Sequence, residues 1–475
     1  MKRTDINYIV QATGGKLYAT AAGGEYNTVS SVAIDNRKIK DDCLFFCIVG
    51  ERVDAHIFLP DVREKGCHNV VVTDPAWAQK MADCGDMNVI LVEDIIVALD
   101  SLTEKYLEDW KDLKKIAITG SAGKTTTKEF AYSVLSRKFK TAKNVGNLNS
   151  ETGIPLAVFD YPDDSEMAIV EVGIGSGPDM RVLANMVKPD NAIVTNVGSV
   201  HMEFFESSRE KLLEAKLRIA NDFGPENTLI VNNTMDNLSV ESVRAHTERD
   251  GFRIVTVGDR EDSDYRIVNI QDRGIDGVRG TLIKGGCEYT LDIPIVGAHN
   301  LFNAATAIAM GELYGISIED CLEAVKDIER VSSRLDVRRG TYTILNDSYN
   351  ANPEAMRAAI SVICNSEAPR RGLIVGSMGE LGAEGPDLHR GVGKFIVDIG
   401  GIDYVITLGD LGKLIGDEIC SLTDAIEVHR YMTIEEIEAD IYDIIKPGDL
   451  FLVKGSNALG ITRVVDFIEG GQKAN

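Results

Sequence analysis

The stretch Ile116–Thr127 reads IAITGSAGKTTT, and it decides the fold. Its apolar start predicts a buried strand, and Phe130, Val134 and Leu135 follow at the spacing of a helix. A strand, a glycine-bearing turn and a helix N-terminus together form an anion site, because backbone N–H groups and the helix dipole both point at the bound oxygens. The stretch therefore predicts a phosphate-binding loop.

The loop indicates a nucleotide bound together with a divalent cation. Lys124 is placed to reach the β- and γ-phosphates, and Thr125 to hold Mg²⁺. Two residues separate the glycines here, where the standard phosphate loop has four. We expect ATP to be bound by this loop as a whole, through Gly120, Ser121, Ala122, Gly123, Lys124, Thr125 and Thr126.

Apolar strands alternate with helical patterns along most of the chain. The predicted strands are 43–49, 69–72, 116–118, 168–172, 192–194, 373–375, 404–408 and 450–453. Such alternation predicts parallel sheets with helices on both faces. The region 259–290 is rich in glycine and charge and predicts hairpins.

The predicted fold class is α/β with three domains. Residues 111–330 are expected to form a central ATP-binding domain built on a P-loop-type parallel sheet. Residues 1–110 are expected to form a smaller N-terminal α/β domain. Residues 331–475 are expected to form a Rossmann-like domain, to which a family resemblance assigns the binding of an incoming substrate and closure on ATP.

Composition excludes several classes of function. The chain has 475 residues and a net charge of −24, and so acidic a surface disfavours non-specific binding to nucleic acid or an anionic membrane. The N-terminal residues lack the apolar core of a signal peptide, and no run reaches the ~20 apolar residues that span a bilayer. The eight cysteines are scattered and indicate reduced thiols. We therefore expect a cytoplasmic protein without membrane insertion.

Three polar residues follow the phosphate loop along the chain. Glu171 lies in an apolar strand, where a carboxylate is costly unless it is paired or bound to metal. His201 follows the next strand, and Lys216 lies on a helical stretch. Taken singly, they also fit a salt bridge, a loop histidine and a solvated lysine.

In this order after a shortened phosphate loop, the three residues resemble the pattern of the Mur ligase family. In that family the glutamate and the histidine bind Mg²⁺, and the lysine is carbamylated, which turns a cation into a carboxylate-like metal ligand. The resemblance implies that Thr125, Glu171, His201 and carbamylated Lys216 hold the metal. It also implies that the catalytic residues are Lys124, Glu171, His201 and Lys216.

Other segments extend the resemblance over nearly the whole chain. The matching blocks are 31–37, 50–56, 144–155, 297–305, 346–353, 376–382 with His389, and 454–456. By resemblance, the expected nucleotide contacts are Asn300, Asn303, Arg334 and Asp347. The expected contacts to the other substrates are Ser31, Asp35, Arg37, Asn149, Asn350 and Asn352.

The sequence Tyr349-Asn350-Ala351-Asn352-Pro353 is typical of the branch of the family that adds D-alanyl-D-alanine. The resemblance implies an ATP-dependent, ADP-forming ligase that works through an acyl phosphate in peptidoglycan precursor synthesis. Its partners would be a UDP-N-acetylmuramoyl-tripeptide and D-alanyl-D-alanine, its cofactors ATP and Mg²⁺, and its expected state a monomer.

Two alternatives stay open. Ser150, Glu206, Arg218 and Ser377 stand where the family pattern usually has other residues, so a Mur-type ligase with a different incoming amino acid or peptide is one alternative. A nucleotide-binding switch or a transporter ATPase is the other, and it is disfavoured because the amide-ligase blocks fit better.

Overall fold

The computed structural model describes residues 1–24, 26–50, 52–174, 180–198, 208–328, 335–379 and 381–474. They form two compact units. The first comprises Met1–Arg266 and Asn303–Val325, and the second comprises Ile267–Phe302 and Lys326–Asn475. This division does not test the predicted domain boundaries near residues 110 and 330, which stay a prediction.

The first unit begins with a small α/β layer. Its strands are β1 (Thr4–Asp5), β2 (Lys16–Ala19), β3 (Thr28–Val29), β4 (Ser31–Ala33), β5 (Cys43–Phe46), β6 (Asn69–Val72) and β7 (Asn88–Leu91). Its helices are α1 (Ile6–Thr13), α2 (Leu59–Glu64), α3 (Pro75–Ala82) and α4 (Ile95–Asp109). Five strands form a sheet of order β2-β7-β6-β5-β4, in which only the β2–β7 pair is antiparallel.

The first unit continues with a larger parallel sheet. Its strands are β8 (Lys114–Thr119), β9 (Thr141–Lys143), β10 (Met167–Glu171), β11 (Asn191–Val194), β12 (Thr228–Asn232) and β13 (Arg253–Gly258). Its helices are α5 (Lys124–Leu135), α6 (Gly153–Phe159), α7 (Met180–Val187), α8 (Arg209–Leu217), α9 (Val240–Ala245), the greater part of α10 (His299–Leu313) and α11 (Ile318–Ala324). The strand order β13-β12-β11-β8-β10-β9 is parallel throughout. Strands β10, β11 and β12 are buried along their whole length, as expected for a sheet covered on both faces.

One hydrophobic core joins the two layers of the first unit. The ring of Tyr106, on α4, packs edge-on against Trp110 and Phe159, with ring centroids 5.9 and 5.4 Å away. Such aromatic contacts add to the free energy gained by burying the rings. The small sheet and the phosphate-loop sheet are therefore held together by burial as well as by the chain.

The second unit contains a hairpin and a doubly wound sheet. Its strands are the greater part of β14 (Tyr265–Asp272), β15 (Val278–Lys284), β16 (Cys287–Ile293), β17 (Asp336–Arg339), β18 (Thr343–Asn346), β19 (Arg371–Gly376), β20 (Tyr404–Leu408), β21 (Glu427–Tyr431) and β22 (Leu450–Lys454). Its helices are α12 (Pro353–Cys364), α13 (Gly385–Ile399), α14 (Gly412–Leu422), α15 (Ile434–Ile444) and α16 (Thr462–Ala474).

The six-stranded sheet of the second unit has the order β17-β18-β22-β19-β20-β21, and only β17–β18 is antiparallel. Successive residues of a strand point to opposite faces. Accordingly Leu373 and Val375 belong to one buried core and Ile374 to another. Two cores on two faces give the Rossmann-like arrangement that the sequence predicts.

The predicted α/β class is confirmed, and so are the predicted strands, with small differences at their ends. The strand predicted over 43–49 ends at Phe46, because the N–H of Ile48 donates to the carbonyl of Phe46 and turns the chain. The hairpin expected within 259–290 is β15 and β16. Among the described helices, none is both long and apolar enough to cross a membrane.

Candidate functional site

The phosphate loop connects β8 to α5. Gly123 has φ +78°, a left-handed conformation that glycine adopts without strain, and α5 begins at the next residue. Gly120 has φ +152°, and a Cβ atom there would lie 1.9 Å from Oγ1 of Thr195. Both loop glycines are therefore required by backbone geometry or by close packing.

The loop after β11 fixes the phosphate loop. The N–H of Ser121 donates to the carbonyl of Asn196 (3.0 Å), and the N–H of Ala122 donates to the side-chain Oδ1 of Asn196 (2.7 Å). Oγ1 of Thr195 donates to the carbonyl of Ala122 (2.6 Å). Our predicted site residues did not include Thr195 or Asn196. Their position at the carboxyl end of the strand beside β8 is the signal that indicates them.

Lys124 lies over the loop that it terminates. Its Nζ donates to the carbonyl of Gly120 at 2.9 Å, so the ammonium lies next to the loop backbone. Asn303, on α10, also reaches the loop, because a Cβ atom at Gly123 would lie 3.0 Å from its Oδ1. The structure thus brings Lys124 and Asn303 together at the predicted phosphate site.

Glu171 ends β10 with its carboxylate only 2% exposed. Its Oε1 accepts from Nδ2 of Asn149 at 2.9 Å. Its backbone N–H and carbonyl both bond to the side chain of Asn144, at 2.8 and 3.0 Å. Its Oε2 lies 3.5 Å from Nζ of Lys128, and that ammonium donates to the carbonyl of Asn144 at 2.8 Å.

The donor atoms at this site fit Mg²⁺. Oε2 of Glu171 is buried and accepts no hydrogen bond from the residues that the structure describes. A buried anionic oxygen left in this way is a suitable ligand for a hard cation, which prefers oxygen. Thr125 supplies a hydroxyl from the first turn of α5. The third predicted ligand, His201, lies outside the described residues, as does Glu206.

Lys216 is buried on α8 and only 1% exposed, which excludes the solvated lysine that its position in the sequence also allowed. No described residue accepts a hydrogen bond from its Nζ. Burial, and then the nearby charge of Lys124, lower the pKa of Lys216 to about 7. A large fraction of this amine is therefore neutral near neutral pH.

In the second unit, a buried ion pair marks the carboxyl end of the sheet. Lys454 ends β22, and its Nζ bonds to Oδ2 of Asp347, the residue after β18. The same ammonium donates to the carbonyl of Asn350 at 2.8 Å. The other carboxylate oxygen of Asp347 accepts from the N–H of Leu335 at 3.2 Å. Arg334, predicted to act with Asp347, lies outside the described residues.

The asparagines of the second unit that the sequence predicts as ligand contacts form hydrogen bonds with nearby backbone groups. Oδ1 of Asn352 caps α12 by accepting from the N–H of Ala355 at 2.8 Å, and Pro353 follows at the first helical position. Oδ1 of Asn350 accepts from the next backbone N–H at 2.9 Å. Nδ2 of Asn300 donates to the carbonyl of Val296 at 2.8 Å. These contacts orient the amides, and the NH₂ groups of Asn350 and Asn352 donate to no residue in the described part of the chain.

Of the substrate contacts predicted in the N-terminal layer, one is buried and two form an ion pair at the surface. Ser31 is buried, and its Oγ donates to the carbonyl of Asp41 at 3.1 Å. Asp35 and Arg37 form an ion pair on the surface, and the hydrogen bonds from Arg37 hold the pKa of Asp35 well below its usual range. The guanidinium of Arg37 is the exposed group of this set.

Two family models match the chain: the Mur ligase middle domain over residues 118–311, and the Mur ligase glutamate ligase domain over residues 333–457. The UDP-N-acetylmuramoyl-tripeptide--D-alanyl-D-alanine ligase of Bacillus subtilis (strain 168) is 32% identical over 450 residues, which cover 94% of each chain. The chain belongs to the Mur ligase family. The ligase of the same name from Escherichia coli (strain K12) is 28% identical over 458 residues, covering 92% of this chain and 93% of that protein.

Solved structures agree with this membership. A crystal structure of MurF from Acinetobacter baumannii matches this Mur ligase with a TM-score of 0.87 and 25% identity, covering 99% of both chains. The matched middle domain contains the phosphate loop, Glu171 and Lys216, and the matched C-terminal domain contains Asp347 and Asn350. The phosphate loop, the surroundings of Glu171 and Lys216, and the ion pair of Asp347 therefore lie in the matched ranges, whereas Ser31, Asp35 and Arg37 lie outside them.

We predict that Lys128→Met strongly lowers the free energy of unfolding of this Mur ligase, measured in the absence of nucleotide. Lys128 is buried between two carboxylates, those of Glu129 and Glu171, each 3.5 Å from its Nζ. Removing one partner from a buried ion pair costs about 3–5 kcal/mol, because the remaining charge is left uncompensated. Urea unfolding monitored by circular dichroism measures the loss.

Lys140→Met is the matched control, because Lys140 pairs with Asp164 on the surface. Exposed pairs contribute about 1 kcal/mol or less, so this variant should unfold close to the wild type. Equal stability of the Lys128→Met variant and the control would contradict a structural role for the buried network.

Proposed function

We propose that this Mur ligase joins D-alanyl-D-alanine to the free carboxylate of a UDP-N-acetylmuramoyl-tripeptide, converting ATP to ADP and phosphate. The observation that carries the proposal is the match, over 94% of both chains, to a relative named for this activity. The reaction supplies a peptidoglycan precursor. We place it in the cytoplasm and assign it to a monomer.

A carboxylate is a poor electrophile, so the reaction needs activation. The oxygen of the substrate carboxylate attacks the γ-phosphorus of ATP, and ADP leaves, which gives an acyl phosphate. The amine of the dipeptide then attacks the acyl carbon, and the tetrahedral intermediate collapses with loss of phosphate and a proton. The protein contributes mainly positioning and neutralisation of charge.

The phosphate loop and Lys124 are assigned to the transferring phosphoryl group. The ammonium of Lys124 already lies against the loop backbone, at 2.9 Å from the carbonyl of Gly120. A short side-chain movement would bring it to phosphate oxygens held at the N-terminus of α5, where the helix dipole is positive. We also assign Asn300, Asn303, Arg334 and Asp347 to the nucleotide.

Glu171, Thr125, His201 and carbamylated Lys216 are assigned to Mg²⁺. When bound, the ion would reduce the repulsion between the substrate carboxylate and the γ-phosphate. The buried Oε2 of Glu171, which accepts no hydrogen bond from the described residues, supports this assignment.

The surroundings of Lys216 support its carbamylation. The neutral amine attacks CO₂, an N–C bond forms, and the amine proton goes to water. This reaction requires the uncharged amine, and burial together with Lys124 lowers the pKa of Lys216 to about 7. The product carries a negative charge and two oxygens, so it no longer repels Lys124.

The remaining contacts are proposed from the family resemblance. Ser31, Asp35, Arg37 and Asn149 are assigned to the UDP-linked peptide, with residues 1–110 as the domain for its UDP end and 111–330 as that for ATP. Asn350 and Asn352 are assigned to the dipeptide, with residues 331–475 as its domain. The oriented NH₂ groups of these two asparagines are suited to donate to a carboxylate.

The proposed function predicts phosphate release only when ATP, the UDP-linked tripeptide and D-alanyl-D-alanine are all present. Because the acyl phosphate reacts productively only with the amine, omission of either peptide substrate should abolish steady turnover. A coupled assay for ADP and phosphate, with mass spectrometry of the product, measures this. Faster turnover with a different amine would assign another incoming substrate, and release without either peptide would indicate a plain nucleotidase.

We predict that Lys124→Ala lowers kcat by about 100-fold or more while the fold is kept, because a charge directed at the transferring phosphoryl group is lost. The two-substrate assay measures the rate, and circular dichroism checks the fold. Lys140→Ala, an exposed lysine of the same sheet layer, is the control and should retain full activity. A near-normal kcat for Lys124→Ala would refute the role given to the phosphate loop.

We predict that Lys216→Ala is nearly inactive and is partly restored by added short-chain carboxylates. Such acids would place carboxylate oxygens where the carbamate of the wild type would stand. Activity is measured against carboxylate concentration, and intact-protein mass spectrometry under CO₂-saturated buffer looks for the added mass on the wild type. The control is Lys211→Ala, which changes an exposed lysine of the same helix. An active Lys216→Ala enzyme would rule out the carbamate.

A further inference from the structure

His389 has both ring nitrogens bonded to backbone atoms. It lies on α13 and is fully buried, at 0% exposure. Its Nδ1 lies 2.6 Å from the carbonyl oxygen of Gly385, one turn earlier in the helix. Its Nε2 accepts from the N–H of Met378, in the loop after β19, at 2.8 Å.

These two contacts define the tautomer of the ring. A carbonyl oxygen only accepts hydrogen bonds, so Nδ1 must carry the proton. A backbone N–H only donates, so Nε2 must be bare. Burial also lowers the pKa of His389, in agreement with a neutral ring. With both nitrogens engaged, the ring has no proton to exchange with a substrate.

The neighbouring Ser377 anchors the same loop to the ends of two strands and to the start of a helix. Its N–H donates to the carbonyl of Leu408 at the end of β20, and its carbonyl accepts from the N–H of Ser456 after β22, each at 3.1 Å. Its Oγ accepts from the N–H of Gly412, which begins α14, at 2.9 Å. The loop is therefore fixed from both sides at the carboxyl edge of the sheet.

The fixed loop presents one backbone donor that has no partner in the described part of the chain. Met378 is buried at 1% exposure, whereas Gly379, the next residue, is exposed and its N–H donates to no described residue. A Cβ atom at Gly379 would have Ser456 as its nearest neighbour, at 3.7 Å. The terminal carboxylate of a short peptide complements a donor of this kind.

We infer that His389 is a positioning residue for the incoming amine substrate, acting through the Ser377–Gly379 loop. The ring holds the amide of Met378, and this fixes the backbone that leads into the exposed N–H of Gly379, in the loop at the carboxyl end of β19. Ligands of open α/β sheets bind at that edge. The inference rests on the proposed function, which supplies the dipeptide as the incoming substrate.

Two amide substitutions of different length test this role. In His389→Gln the side-chain oxygen can reach the position of Nε2 and accept from Met378, while in His389→Asn it reaches only the position of Nδ1. We expect His389→Asn to raise the KM for D-alanyl-D-alanine about ten-fold, with the KM for ATP nearly unchanged, because only the amine site loses its orientation. His389→Gln should remain close to the wild type.

His429→Gln is the matched control, since His429 lies on β21 of the same sheet and pairs with Glu427. It should change neither KM. Equal effects of the Gln and Asn variants, or equal shifts in the KM for ATP and for the dipeptide, would overturn the positioning role. Wild-type enzyme that is inactive with every amine would instead refute the proposed function.

A second measurement uses the wild type alone and does not depend on how well the variants fold. Nitrogen-15 NMR of the histidine rings should show His389 as the neutral Nδ1–H form. It should keep that form across the pH range in which exposed histidines gain a proton. A ring that titrates with the exposed histidines, or that carries its proton on Nε2, would overturn the inference.

Discussion

The buried carboxylate of Glu171 is the constraint around which the site of the first unit is built. An ionised carboxylate removed from water needs compensation, and each neighbouring element supplies part of it. Asn149 donates to one oxygen, and Lys128 brings a positive charge within 3.5 Å of the other. Asn144 binds the glutamate backbone on both sides. The segment 144–149, α5 and β10 are thereby fixed to one another behind the phosphate loop.

The parallel sheet explains why the groups converge. Parallel strands carry their carboxyl ends to one edge, so the loops after β8, β10 and β11 become neighbours although they are far apart in sequence. The loop after β11 can then hold the loop after β8 through Asn196. The close approach of the two loops in turn requires glycine at position 120. Topology, loop contacts and residue choice are therefore parts of one arrangement.

The local pattern of apolar residues was sufficient to predict most of the strands. It predicted far fewer of the contacts within the site. The strands at β6 and β20 were predictable to the residue, because a continuous apolar run between turn signals has few alternatives. The contacts of Asn196 and of His389 were not predictable in the same way. Each depends on the distance between segments that only the assembled sheet brings together, and no local periodicity encodes such a distance.

Three buried lysines differ in the charged groups that surround them. Lys128 lies between two carboxylates, and Lys454 is paired with Asp347. Each of these two lysines has a carboxylate partner, and each ion pair connects separate segments of its unit. Lys216 is as deeply buried, yet among the described residues it has no carboxylate partner, and the charge of Lys124 lowers its pKa further.

Burial without an anion favours the neutral amine, so the surroundings of Lys216 select against its ammonium form. A buried neutral amine makes no favourable charge interaction with the neighbouring Lys124. Conversion to an anion would remove the repulsion from Lys124 and supply oxygen atoms of the kind that Mg²⁺ prefers. The contrast with Lys128 and Lys454 therefore supports modification of Lys216 on physical grounds that are separate from the family resemblance.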